Sequence, residues 1–154
     1  AVREINTGIY AFNNQSLFEG LKHLNNNNAQ NEYYLTDLVE ILKKLGKKVV
    51  AIPCDDWQEV QGINGNVELA HAAKYMQERI NTEWMKKGVT IYDPNTTYIG
   101  PNVTFGTDVI IHPNTYLYGD VTVADYAEIL PGTWLEDTNV PKAEIVGPFI
   151  RRKG

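Results

Sequence analysis

The sequence predicts a chain of mixed class, an α/β segment followed by an all-β, left-handed parallel β-helix built of hexapeptide repeats. Three observations carry that prediction. Large apolar residues stand six apart at Ile99, Phe105, Ile111, Leu117, Val123, Ile129 and Leu135. Two positions before each lies a small or β-branched residue: Thr97, Val103, Val109, Thr115, Val121, Ala127 and Thr133. Helical spacing, common in the first half of the chain, stops near Gly88.

A helix repeats every ~3.6 residues and a flat strand every ~2, so a six-residue period needs another geometry. A short strand followed by a corner, repeated on three sides of a prism, supplies it. The large residue fills the interior and the small one sits beside the corner. Gly100, Asn102, Gly106, Asp108, Asn114, Asp120 and Gly132 are the turn formers at these corners. Pro101, Pro113 and Pro131 recur there too, where a missing N–H costs little. Seven steps make little more than two coils, so the stack is expected to continue, be capped or associate with its own kind. Pro141 is expected to interrupt the rhythm and Ile145 to restart it before Gly147-Pro148-Phe149.

Taken in order, Glu4 to Phe12 alternates as a strand, and Ser16 to Leu24 sets Leu17, Phe18, Leu21 and Leu24 at helical spacing. The run Asn25 to Asn28 is a polar loop. Leu35, Leu38, Val39, Leu42 and Leu45 form a second helical stripe, closed by Gly46. Lys48 to Pro53 reads as a buried strand, with Cys54 as a small buried hydrophobe after it. The longest helix is expected from about Asn66, its N-cap, to about Lys87, with Leu69, Ala73, Met76, Ile80 and Trp84 on one face. Strand, helix, helix, strand is an α/β order, but four elements are too few to cover both faces of a parallel sheet.

With 154 residues, 43% of them hydrophobic and 21% charged, the composition is that of a globular protein, and no apolar run of ~18 residues could cross a bilayer. The chain opens on Ala1 without a secretory signal or an initiator Met, so it is expected to be a piece of something longer. One cysteine excludes an intrachain disulfide and fits the cytoplasm. The net charge is −5, and from Val89 to Ile150 eight acids face one lysine, which argues against nucleic acid as a partner. His23, His71 and His112 have no partner at ligand spacing and read as structural or surface residues.

Nearly the whole chain resembles the bacterial family of bifunctional N-acetylglucosamine-1-phosphate uridylyltransferases / glucosamine-1-phosphate acetyltransferases. The resemblance is carried by Glu4-Ile5-Asn6-Thr7-Gly8-Ile9, the block Asn28 to Asp37, Gly62-Ile63-Asn64, the long helix, Gly88-Val89-Thr90, Asp93-Pro94 and Val146-Gly147-Pro148-Phe149. It implies the C-terminal part of a Rossmann-like nucleotidyltransferase domain at 1–65, a connector helix at 66–88 and the start of an acetyltransferase-type β-helix at 89–154. It also implies uridylyl transfer from UTP to N-acetylglucosamine 1-phosphate with magnesium, giving UDP-N-acetylglucosamine. Acetyl transfer from acetyl-CoA to glucosamine 1-phosphate and assembly as a homotrimer follow from the same resemblance. By this resemblance Asn6 hydrogen-bonds the nucleotide sugar, Asn64 gives an oxygen to magnesium and to the phosphates, and Lys153 meets a sugar phosphate where the family usually has Arg.

The family's glycine-rich triphosphate loop, its acidic magnesium ligand and its acetyl-transfer histidine have no counterpart in these residues. No catalytic residue is therefore assigned, no cofactor is expected on this chain, and the chain alone is expected to be inactive. A non-catalytic trimerising module and a uridylyltransferase with a degenerate β-helix tail are the other readings.

Overall fold

The computed structural model describes residues 4–154, and the chain divides into two compact units, the first ending at Gly62 and the second spanning Ile63–Gly154. In the first unit, α1 (Asn14–Leu21) is capped by Asn13, whose side chain accepts from Ser16 N. A 3₁₀ turn, Leu35–Asp37, leads into α2 (Leu38–Lys44). Gly46 takes a φ of 71° and the backbone closes α2 with Gly46 N to Lys43 O and Lys47 N to Leu42 O, a Schellman pair. Leu38 and Leu42 are buried, and they close over Gly20, where a Cβ would lie 2.9 Å from Leu38 Cδ2. The asparagine loop is held by Asn28, whose Oδ1 accepts from Gln30 N and Glu32 N.

Two expected strands are absent: residues 4–12 and 48–53 carry no strand pairing, and Ile5, Ile9, Val50 and Ile52 are exposed. A strand is stabilised by its neighbours, and no strand occurs among the described residues of this unit to pair with. Cys54, expected to be buried, is exposed for the same reason, and its thiol donates to Asp56 O.

The second unit opens with α3 (Asn66–Lys86), where Gly65 rather than Asn66 is the N-cap. Eleven short parallel strands follow: β1 (Thr90–Ile91), β2 (Thr97–Ile99), β3 (Thr104–Phe105), β4 (Ile110–Ile111), β5 (Thr115–Tyr118), β6 (Thr122–Val123), β7 (Glu128–Ile129), β8 (Trp134–Glu136), β9 (Asn139–Val140), β10 (Ile145–Val146) and β11 (Arg151–Lys153). They form three sheets, ordered β1-β4-β7-β10, β2-β5-β8-β11 and β3-β6-β9, the left-handed β-helix that the sequence predicts. The predicted large column is buried except for Phe105, which packs edge-on to Trp84 at 4.9 Å. Every member of the small column is buried as well. Thr97, Thr115 and Thr133 satisfy their buried hydroxyls by donating to Asp93 O, His112 O and Leu130 O.

The stack is longer than the sequence count of a little over two coils, because coil length changes at corners. Ile91 pairs with Ile111, Ile111 with Ile129 and Ile129 with Val146, so successive coils hold 20, 18 and 17 residues. The missing residue lies between Leu135 and Val140, where Asp137 adopts φ 49° and its Oδ1 accepts from Asp120 N. Asp137 also fills the space over Gly119 that a Cβ would need. A corner can lose a residue while the strands stay paired, since only the strands carry the ladder. Pro141 therefore does not interrupt the prism, and the inward residue that follows it is Val146, with Ile145 exposed.

The face of α3 that meets the β-helix also differs from the expected stripe. Ile80 and Trp84 pack on the core, but Leu69 and Met76 are exposed and the fully buried residue is Asn81. Gln77 and Asn81 donate to the carbonyls of Pro94 and Thr97, a polar dock at the first coil. Carbonyls at the end of a prism need donors, and a purely apolar helix face could not supply them.

Candidate functional site

The outer face of the β2-β5-β8-β11 sheet carries two side-chain columns, because residues on either side of each inward residue point outward. Tyr98, Tyr116 and Trp134 form the first column, with Tyr98 and Tyr116 stacked at 5.1 Å and Tyr116 and Trp134 also at 5.1 Å. Arg151 continues it, its guanidinium 5.4 Å from the Trp134 ring. The second column contains Tyr118, Glu136 and Lys153, paired in register on β5, β8 and β11. Burial, with smaller contributions from Tyr98 and Tyr116, pushes the Tyr118 phenol up from its ordinary value.

At the last coil, Lys153 Nζ lies 2.7 Å from Glu136 Oε1 and Arg151 Nη2 lies 3.1 Å from Glu136 Oε2. The hydrogen bond from Lys153, then that from Arg151, holds the Glu136 carboxyl below its ordinary value, and Glu136 in turn raises Lys153. Arg152 takes the inward register after Leu135 and pairs with Glu144, its Nη2 2.6 Å from Oε1. That hydrogen bond raises Arg152 further above its ordinary range. The basic run is therefore ordered and ion-paired, not a free tail.

Asn6 and Asn64 belong to different units and both are exposed. Asn6 Oδ1 accepts from Gly8 N at 3.0 Å in a local turn, and its amide donates to the Tyr10 hydroxyl. Asn64 lies just before α3. A surface depression along α2, lined by Thr36, Asp37, Val39, Glu40, Lys43 and Lys44, includes none of the three expected site residues. His112 has a carboxylate partner that spacing along the chain conceals, with Nε2 2.7 Å from Glu128 Oε1. Glu136 and Glu144 likewise carry no mark in the sequence of the cations they pair with. Coil length is the signal that finds Glu136, since Lys153 is 17 residues after it, the separation of strand neighbours in that coil, whereas Glu144 lies only eight residues before Arg152 and is brought to it across a corner.

No family model matches the chain. Among curated proteins, the bifunctional protein GlmU of Latilactobacillus sakei is 46% identical over 140 residues, 91% of this chain and 30% of that protein. The same protein of Corynebacterium aurimucosum is 47% identical over 139 residues, covering 90% of this chain and 28% of its own length. That of Halalkalibacterium halodurans is 44% identical over 139 residues, again 90% of this chain. This chain corresponds to a segment of the bifunctional GlmU proteins. It spans about 30% of the length of the GlmU relatives it matches. The matched span takes in both units, since either unit alone is far shorter than 139 residues. Among the described residues no helix is long and apolar enough to cross a membrane.

Proposed function

We propose that this chain is a segment of an enzyme that makes UDP-N-acetylglucosamine, with the end of the uridylyltransferase domain at 1–65, the connector helix at 66–88 and the start of the acetyltransferase-type β-helix at 89–154. The supporting observation is identity of 44–47% to three GlmU proteins across both units. In this reading the parent enzyme, in the cytoplasm, moves uridylyl from UTP to N-acetylglucosamine 1-phosphate and acetyl from acetyl-CoA to glucosamine 1-phosphate. Asn6 contacts the sugar of the nucleotide sugar, Asn64 the phosphates and Lys153 the phosphate of the acetyl acceptor.

Magnesium takes near-octahedral oxygen ligands, usually with one or two carboxylates. No group of three His, Cys, Asp or Glu residues able to hold a metal occurs among the described residues, and Asn64 offers a single amide oxygen. The residues of this chain do not by themselves fit the ion.

The segment alone turns over neither substrate pair, because phosphoryl-type transfer depends on a triphosphate cradle and acetyl transfer on a general base. Incubation of the pure chain with UTP, magnesium and N-acetylglucosamine 1-phosphate, and separately with acetyl-CoA and glucosamine 1-phosphate, is expected to yield no product. Product in either tube overturns the inactivity. The chain also assembles as a trimer, a reading supported by the apolar residues Leu69 and Met76 left uncovered on α3. Sedimentation over a concentration series tests this, and a monomer persisting at high concentration rejects it.

A further inference from the structure

Glu136 sits between two cations whose backbone positions are set by the pairing of β11 with β8. The Arg151 guanidinium also rests on the aromatic column through Trp134, while strand pairing places Lys153 opposite Glu136. Each cation takes one oxygen of the same carboxylate, at 3.1 and 2.7 Å. The cations remain open to solvent, with side chains 67% and 57% exposed, whereas the Glu136 side chain is 24% exposed. Two donors spaced on the two oxygens of one carboxylate form a slot that fits the oxygens of a phosphate equally well. Arg152 does not contribute, because its charge is committed to Glu144.

We propose that Glu136 is an internal counter-ion occupying the oxyanion slot of Arg151 and Lys153, so that a phosphate monoester binds there only by displacing the carboxylate. This rests on the reading that Lys153 meets a sugar phosphate. A tethered carboxylate competes at a high effective concentration, on the order of millimolar, without leaving the molecule. It therefore turns away singly charged anions, which offer the cations no more than Glu136 does. A phosphate monoester carries about −1.5 to −2 charges near pH 7 and three acceptor oxygens, so it outcompetes one carboxylate. Glu136 is thus a selectivity residue, setting a threshold of charge for entry. The pair is legible only in the coil, since Glu136 and Lys153 are cross-strand neighbours but distant along the chain.

Binding of glucosamine 1-phosphate, inorganic phosphate and acetate to the full chain tests this, read by amide chemical shifts at constant ionic strength and pH 7.5. E136Q is expected to bind both phosphates about tenfold tighter than the parent chain, because the competing charge is gone, and to lose the discrimination against acetate. E136A, which removes the group altogether, is expected to show the same gain, and circular dichroism confirms that each variant keeps the β-helix. K153M is expected to abolish the binding in both the parent and the E136Q backgrounds. Equal phosphate affinity of E136Q, E136A and the parent overturns the counter-ion role, while loss in K153M alone leaves the reading of Lys153 standing. If K153M binds phosphate as the parent does, that reading fails and the proposal with it. The absence of phosphate binding to E136Q also overturns the proposal.

Discussion

Among the described residues of the unit that ends at Gly62, the buried apolar side chains are Leu38 and Leu42, closed over Gly20, while in the unit from Ile63 fourteen buried apolar residues join in one core cluster. Both units have similar-looking apolar runs in sequence. The β-helix can use its runs because each strand finds its neighbour one coil away in its own chain. The runs at 4–12 and 48–53 have no such neighbour among the described residues, and their apolar side chains remain exposed. A repeat carries its own packing partner, whereas a strand outside a repeat depends on residues elsewhere.

The sharpest way to break this comparison is to charge the inward column. Ile111→Asp places a carboxylate where the side chain is fully buried, and is expected to remove more than ~4 kcal/mol and unfold the β-helix. Loss of the cooperative β-sheet transition on heating is the readout, and an unchanged transition would reject the inward assignment. In the first unit, Leu38→Ala is expected to cost about 2–5 kcal/mol of local stability by emptying the contact over Gly20. Amide exchange of residues 14–44 measures it, and unchanged protection would mean that Leu38 does not hold α1 to α2.

Tyr116→Ser sharpens the difference between the inside and the outside of the prism. Its outward phase alone predicts a mild effect, but its ring is stacked on both sides, by Tyr98 and Trp134. A cost of about 1–3 kcal/mol is expected in urea unfolding, from two stacking contacts of about 0.5–1.5 kcal/mol each. A cost matching that of Ile111→Asp would show that the column, not the core, carries the sheet.

Ala143→Gly runs the other way. Ala143 holds φ 59°, a conformation that costs an L-residue about 1–2 kcal/mol, so the substitution is expected to raise stability by up to about 1 kcal/mol. A fall in the midpoint of urea unfolding would contradict it.

The smallest effect expected is that of pH on the last coil. The depressed Glu136 carboxyl contributes stability above its unfolded value near 4.5 and loses it as pH falls through its lower folded value. The raised Lys153 contributes below its unfolded value near 10.5 and loses it as pH rises through its higher folded value. Protection of the β11 amides should therefore be flat between these limits and fall at both ends. E136Q is expected to flatten both edges, and edges that persist in E136Q would assign them to other groups.

Sequence alone determined the two inward columns from Thr97 to Leu135, buried except at Phe105, because a side chain alternates across a strand and equal coils repeat that alternation at a constant count. It also determined the corner residues Asp108, Asn114 and Gly132, whose types accept positive φ, and the helix closing at Gly46. Its three expected site residues, Asn6, Asn64 and Lys153, came from family resemblance, and only Lys153 is found within a cluster of charged partners. Tertiary structure decided the rest. Tyr126, Ala143 and Phe149 take positive φ although none prefers it, since the paired strands on either side leave the corner no other path. The unequal coils of 20 and 17 residues hid the strands beyond each end of the even rhythm. The His112–Glu128 and Lys153–Glu136 pairs formed between coils, where residues far apart in the chain are a single strand spacing apart in space.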